Sequence, residues 1–120
     1  MLFRSKDMII RGGENIYPKE IEEFIYTHPK VKDVQVIGVP SEQYGEEIMA
    51  CIILKDNVEL SPDEIKEFVR ANMAKHKVPS YIDFVNEFPM THSGKIKKFE
   101  MRQAAIIKLN LQKAASIETA

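Results

Sequence analysis

Tryptophan is missing from this 120-residue chain, cysteine occurs once, and neither charge is in excess: 17 lysines and arginines stand against 18 acids, a net charge of -1. Each shortage excludes something. A single cysteine cannot close an intramolecular disulfide, and Cys51 lies in the apolar run Ile48-Met49-Ala50-Cys51-Ile52-Ile53-Leu54, where a thiol behaves as a small hydrophobe rather than a nucleophile. Balanced charge supplies no global field to steer nucleic acid or an anionic membrane, so no nucleic-acid partner is expected. The same apolar run is far too short to span a bilayer, so no transmembrane segment is expected. The N-terminus has neither the apolar core of a signal peptide nor the acid-poor composition of a transit peptide, which leaves the compartment open; a reducing, intracellular one, cytoplasmic or mitochondrial, is compatible. With 44% hydrophobic residues, the chain has material for one domain with a modest core but not for a deep private pocket as well.

What is present reads as alternating short elements. Met8-Ile9-Ile10 and Asn15-Ile16-Tyr17 flank Gly12-Gly13, a hairpin signal because tight hairpin turns need positive φ. Pro18 suits the first position of a helix, with Glu20, Glu22 and Glu23 near its positive end as a solvated acidic face and Ile21, Phe24 and Ile25 as its apolar stripe. His28-Pro29 should end it. Residues 31–39 and 48–54 predict two adjacent antiparallel strands around the interruption Pro40-Ser41-Glu42-Gln43-Tyr44-Gly45. Ser61-Pro62-Asp63-Glu64 is a capping box that opens a second helix, with Ile65, Phe68, Val69 and Met73 on its apolar face. A third strand is expected over 81–85 and a last helix from 97 to about 113, with Phe99, Arg102, Ile106 and Leu109 along one side. The expected fold is α+β, a small three-stranded sheet covered by helices and preceded by a short β-hairpin. Its organisation would be a hinge segment over 1–7, a domain over 8–113 and a frayed tail over 114–120.

The chemistry concentrates on the turn-forming stretch Pro89-Met90-Thr91-His92-Ser93-Gly94-Lys95-Ile96. Lys95 follows a glycine, as a phosphate-loop lysine does, but that loop also needs a glycine where Pro89 stands and a serine or threonine where Ile96 stands. What remains is an ammonium on a flexible stem able to act as a point charge on carboxylate or phosphate oxygens. On spacing alone, an ordinary solvated lysine is the simpler account. His28, His76 and His92 fall on separate elements without other ligands at metal-binding spacing, so no metal site is expected. Ser93 beside His92 lacks an orienting acid and an oxyanion donor, and Lys97-Lys98 reads as a surface cluster.

Taken together, Arg4-Ser5-Lys6-Asp7-Met8-Ile9-Ile10-Arg11-Gly12-Gly13-Glu14-Asn15-Ile16-Tyr17-Pro18-Lys19-Glu20-Ile21-Glu22, then Tyr44-Gly45-Glu46, then the 89–96 stretch, resemble the C-terminal domain of adenylate-forming (AMP-binding) enzymes. The resemblance runs from about residue 4 to about 102 and is nearest to fatty-acyl-CoA synthetases of medium-chain type. It implies an enzyme that uses ATP and coenzyme A as substrates. A large N-terminal domain would bind ATP, its Mg2+ and a carboxylic acid, while the small domain closes over it in two orientations, one forming acyl-AMP and one the thioester. It places the adenylation lysine at Lys95, an AMP-ribose contact at Arg4 and the hinge at Lys6. Gly12 and Gly13 would let the pantetheine arm pass, and Tyr44 and Lys77, beside His76, would lie near the coenzyme A nucleotide.

Two departures from the family pattern stand out. Phe3 replaces the glycine expected before Arg4, and no N-terminal domain precedes Met1, so the chain reads as a fragment, inactive alone, whose partner is its own adenylation domain. The alternatives are a stand-alone interaction module of the same fold and the C-terminal domain of another adenylate-forming ligase.

Overall fold

A computed structural model describes residues 8–111, so Arg4 and Lys6 lie outside the described residues. The first described elements are strands β1 (Ile9–Arg11) and β2 (Glu14–Ile16), paired antiparallel from Ile9 opposite Ile16 to Arg11 opposite Glu14. Between them Gly12 and Gly13 have φ of 58° and 85°, the left-handed pair that a two-residue hairpin turn demands. Helix α1 (Pro18–Tyr26) follows, with Pro18 at its start and Ile21 and Ile25 buried. The Thr27 hydroxyl donates to the Phe24 carbonyl at 2.6 Å where the helix ends.

Strands β3 (Val31–Ser41) and β4 (Gly45–Leu54) form the long antiparallel pair, from Val31 opposite Leu54 to Ser41 opposite Gly45. Both run further than the sequence suggests, because Pro40 sits inside β3 rather than ending it. The even-numbered residues of β3 turn their backbone groups away from β4: Val36 N–H donates to Glu22, Val36 C=O accepts from Lys98 and Gly38 C=O from Arg102. Pro40 shares that phase, so the amide it lacks faces outward on an edge strand, where no ladder bond is lost.

Helix α2 (Pro62–Arg70) opens with the expected capping box: Ser61 Oγ accepts from Glu64 N–H and Glu64 Oε1 accepts from Ser61 N–H. It carries the chain across to β5 (Tyr81–Phe84), which pairs parallel with β4 from Met49 opposite Tyr81 to Ile52 opposite Phe84. A parallel neighbour needs such a crossover. The expected three-stranded core of β3, β4 and β5 is therefore present, but the hairpin is not merely a preface to it. It joins the same sheet through Arg11 opposite Gly45, giving five strands in the order β2-β1-β4-β3, with β5 also on β4.

The unbroken apolar run of β4 is explained by burial on both faces. Ile48, Ala50 and Ile52 join the core beneath α1 and α2, while Met49 and Cys51 join a second core beneath helix α3 (Lys98–Lys108). Helix α3 is shorter than expected. Asn110 adopts φ 58°, and Asn110 and Leu111 donate back to Ile107 and Ile106 at 3.1 and 2.8 Å, the paired bonds of a left-handed helix stop.

Its apolar face also differs from the expected stripe: Met101, Ala105 and Ile106 are buried and Phe99 is 72% exposed. The reason is that the first turns of α3 reach the outer edge of β3, where Lys98 and Arg102 donate to that edge's carbonyls. The rest of the helix covers Met49 and Cys51 and ends with Lys108 paired to Asp83 of β5 at 2.7 Å. Lys98 also pairs with Glu22 at 2.7 Å. Neither Lys98 nor Glu22 is the solvated surface charge that the sequence suggests; together with Arg102 they occupy the edge of β3, where an uncovered strand would invite pairing with another chain.

Candidate functional site

The glycine turn rests on Tyr44, in the β3–β4 connection, and on Glu47 of β4. Gly12 N–H donates to the Tyr44 carbonyl at 2.9 Å, and a Cβ at Gly12 would meet the Tyr44 ring at 3.2 Å. At Gly13 a Cβ would meet nothing within 4 Å, so this glycine faces open space. Arg11 lies over the Tyr44 ring, 3.9 Å from its centre, and its Nε donates to Glu47 Oε1 at 2.6 Å. Glu47 is buried and also accepts from Ile48 N–H at 3.0 Å. The hydrogen bond to Glu47, above all, raises the Arg11 guanidinium above its ordinary value, so it carries its charge at any physiological pH.

Arg11 and Tyr44 form one wall of a groove of about 490 Å³. The opposite wall brings Lys66 and Arg70 from α2 and Lys75 and His76 from the 3-10 turn Lys75–Lys77, with Val78, Pro79 and Ser80 completing it. An aromatic ring beside several cations fits a ligand that carries both a flat ring system and phosphates. The sequence reading placed Tyr44 and the 76–77 loop near one another. It missed Lys66, Arg70 and Lys75, although the four-residue spacing of Lys66 and Arg70 puts both on one side of a helix. Lys77 belongs to the same 3-10 turn, but its ammonium is held 3.0 Å from both carboxylate oxygens of Glu20.

Lys95 belongs to a second, self-contained hairpin. Met90 bridges Ile96, Thr91 N–H donates to the Lys95 carbonyl at 2.8 Å, and Gly94 N–H donates to the Thr91 carbonyl at 3.0 Å. Gly94, at φ 89°, takes the left-handed position that closes such a turn. Thr91 Oγ1 accepts from Lys95 N–H at 3.1 Å and lies 3.0 Å from Ser93 Oγ. All five residues from 91 to 95 are exposed. Among the described residues, Lys77, Lys97, Lys98 and Lys108 each pair with an acid (Glu20, Glu100, Glu22 and Asp83); the Lys95 ammonium has no such partner, a state it shares with Lys19, Lys32, Lys55, Lys66 and Lys75, and what sets it apart is its place on the tip of the turn. Met90, Thr91, His92 and Lys97 line a cavity beside it, separate from the groove.

Other candidates resolve into structure. Burial pushes the Cys51 thiol up to about 12, so it stays protonated and packs as a hydrophobe. His28 accepts from Lys30 N–H and meets Phe68 edge-on at 4.8 Å; burial lowers its proton affinity. Among the described residues, no group of three or more His, Cys, Asp or Glu side chains is placed to hold a metal ion, and no helix is long and apolar enough to cross a membrane.

Comparison with known proteins agrees with this architecture. The family model described as AMP-binding enzyme C-terminal domain matches residues 20–95. A putative acyl-CoA synthetase, YngI, of Bacillus subtilis is 56% identical over 108 residues, covering 90% of this chain and 20% of that protein. The human mitochondrial medium-chain acyl-CoA ligase ACSF2 is also 56% identical over 108 residues, covering 90% of this chain and 18% of its own length. Among solved structures, a Mycobacterium tuberculosis fatty acyl CoA synthetase superposes with TM-score 0.78 at 42% identity, over 84% of this chain and 20% of the other. ATP-bound MatB from Rhodopseudomonas palustris gives TM-score 0.82 at 33% identity, over 85% and 20%. The chain thus spans about a fifth of the length of these relatives.

Proposed function

Because the chain belongs to the AMP-binding enzyme C-terminal domain family, we propose that it is the mobile C-terminal part of an ATP-dependent acyl-CoA synthetase acting on a fatty acid. In the first half-reaction a carboxylate attacks the α-phosphorus of ATP and expels pyrophosphate. In the second, the coenzyme A thiol attacks the acyl carbonyl and expels AMP.

The observation that carries this reading is Lys95: an exposed ammonium, without a counter-ion among the described residues, at the tip of a turn closed by its own hydrogen bonds. Brought against a preceding nucleotide-binding domain, it bridges carboxylate and phosphate oxygens while negative charge shifts between them. A preorganised contribution of this kind is typically worth ~3 kcal/mol. Arg4 contacts the AMP ribose, and Lys6 is the hinge about which the domain turns.

The second orientation uses the other end of the sheet. Gly12 and Gly13 present backbone without side chains to the pantetheine arm, which a Cβ would obstruct. The groove behind Tyr44 takes the nucleotide end of coenzyme A, its ring system against the tyrosine and its phosphates against Arg11, Arg70 and Lys75. Lys77 supplies a further cation by exchanging Glu20 for the ligand. The Mg2+ that accompanies ATP is assigned no ligand among the described residues.

The test is to assay this chain, alone and joined to its native upstream sequence, against a panel of carboxylic acids with ATP and coenzyme A. Thioester formed by the joined protein and not by the chain alone is the expected result. Failure of the joined protein to form acyl-adenylate from any acid would overturn the reading. Replacing Lys6 by proline should freeze φ at the hinge and slow the coupling of the half-reactions; unchanged coupling would place the hinge elsewhere.

A further inference from the structure

The ribbon that carries the glycine turn is held to the sheet by little backbone. Strand β1 meets β4 at one ladder position, Arg11 opposite Gly45, supplemented by Gly12 N–H on the Tyr44 carbonyl. One residue earlier the backbone bond is replaced by a side chain: Ile10 N–H donates to Glu46 Oε1 at 2.9 Å. Glu46 is part of β4 and lies opposite Pro40 of β3, so its carboxylate ties β1 to the β3–β4 pair.

Gly38 makes room for this carboxylate. Its φ is not in the left-handed region, so the backbone does not require glycine there. Space does: a Cβ at 38 would stand 2.8 Å from Glu46 Oε2 and 3.1 Å from Ile9 Cγ1. The next residue, Glu47, points to the other side of the strand and takes the Arg11 side chain. Two successive acids therefore hold the two residues just before the glycine turn, one by its amide and one by its guanidinium.

We propose that Glu46 is a positioning residue for the glycine turn: its carboxylate supplies the bond that fixes β1, and hence Gly12 and Gly13, at the height where the acyl-acceptor thiol must pass. This rests on the functional reading above and deepens it. Gly38 is the second member of the device, because a Cβ there would stand 2.8 Å from the carboxylate. Glu46 makes no contact with the reacting atoms; its effect is confined to the half-reaction that uses the glycine turn.

Three variants separate this role from general stability. Glu46→Ala removes the acceptor, Glu46→Gln keeps a carbonyl that can still accept from Ile10, and Gly38→Ala leaves the acid but crowds it out. In the full chain, amide hydrogen exchange at Ile10 should accelerate in Glu46→Ala and Gly38→Ala and stay slow in Glu46→Gln. With the native upstream sequence attached, the ratio of thioester formation to pyrophosphate exchange should fall roughly tenfold or more in the two alanine variants, as displacements of about 1 Å do. Glu46→Gln should restore the ratio.

An active protein whose ratio is unchanged in Glu46→Ala overturns the inference alone. Equal loss of both half-reactions overturns it too, since that marks a merely structural acid. A wild-type protein without any coenzyme A-dependent activity overturns the functional reading, and this inference with it.

Discussion

The Lys95 turn and the Gly12–Gly13 turn are both tight hairpins closed by left-handed glycines, yet they are held in opposite ways. The first is local: its bonds run among residues 89–97, and it presents a side chain. The second is tertiary: apart from the pairing within its own ribbon, its bonds go to Tyr44, Glu46 and Glu47, more than thirty residues away, and it presents backbone. A long flexible side chain tolerates a loosely aimed base, because its own stem makes up the distance. A backbone surface cannot reach, so its height must be set by the strands beneath it.

That contrast can be broken most directly at Lys95. Lys95→Ala should lower acyl-adenylate formation by roughly 100-fold or more, the scale of losing one preorganised charge. Thioester formation from supplied acyl-adenylate should persist. Pyrophosphate exchange and single-step transfer measure the two, and parallel loss in both would erase the difference between the turns.

Gly13→Leu tests the opposite end. Because a side chain at 13 meets nothing within the domain, any loss reflects what arrives from outside. Transfer to coenzyme A should fall roughly tenfold or more relative to pyrophosphate exchange. Retained transfer would reduce the loop to a simple turn.

A smaller effect is expected in the groove. Arg70 is exposed and paired with Glu67, so Arg70→Ala should raise KM for coenzyme A only about two- to fivefold, the scale of an exposed charge pair. The difference should shrink as salt screens it, and a salt-independent KM would remove Arg70 from the phosphate site.

The smallest effect concerns stability away from both turns. Hydrogen bonds from Ser61, first from its amide, depress the Glu64 carboxyl below its ordinary 4.5. A depressed folded value means that Glu64 stabilises the fold above the unfolded value and loses that contribution as pH falls through the folded one. Glu64→Gln should therefore melt slightly below wild type at neutral pH, with the gap closing below about pH 4.5. A gap independent of pH would show that the ionised acid contributes nothing there. Neither half-reaction should respond.

Much of the fold was legible because its signals are short-range. Gly12-Gly13, Pro18 and Ser61-Pro62-Asp63-Glu64 act within a turn of chain, and each marks a boundary where expected. The misread face of α3 has the opposite origin. A periodicity of apolar residues cannot say that a helix will begin at a strand edge, where Lys98 and Arg102 are drawn inward to carbonyls and Phe99 is turned out. The reach of β3 through Pro40 was hidden for a related reason, since proline is tolerated only if its missing amide faces outward, and phase relative to a partner is not written in one strand.

By itself, the sequence determined the local turns and the helix starts, because each depends on residues a few positions apart; Lys95 became a candidate only through motifs spread along the chain, and the two-sided burial of β4 emerged with the fold. Glu64 was legible as a capping acid, but tertiary structure alone decided the roles of three others. Glu22, Glu46 and Glu47 are indistinguishable from surface charge in the chain. Once folded, they are the acceptors for an edge amide, a ribbon amide and a guanidinium that have few other partners within reach. A charged group's role is set by what the fold leaves unsatisfied around it, and that is decided by strands and helices distant in sequence.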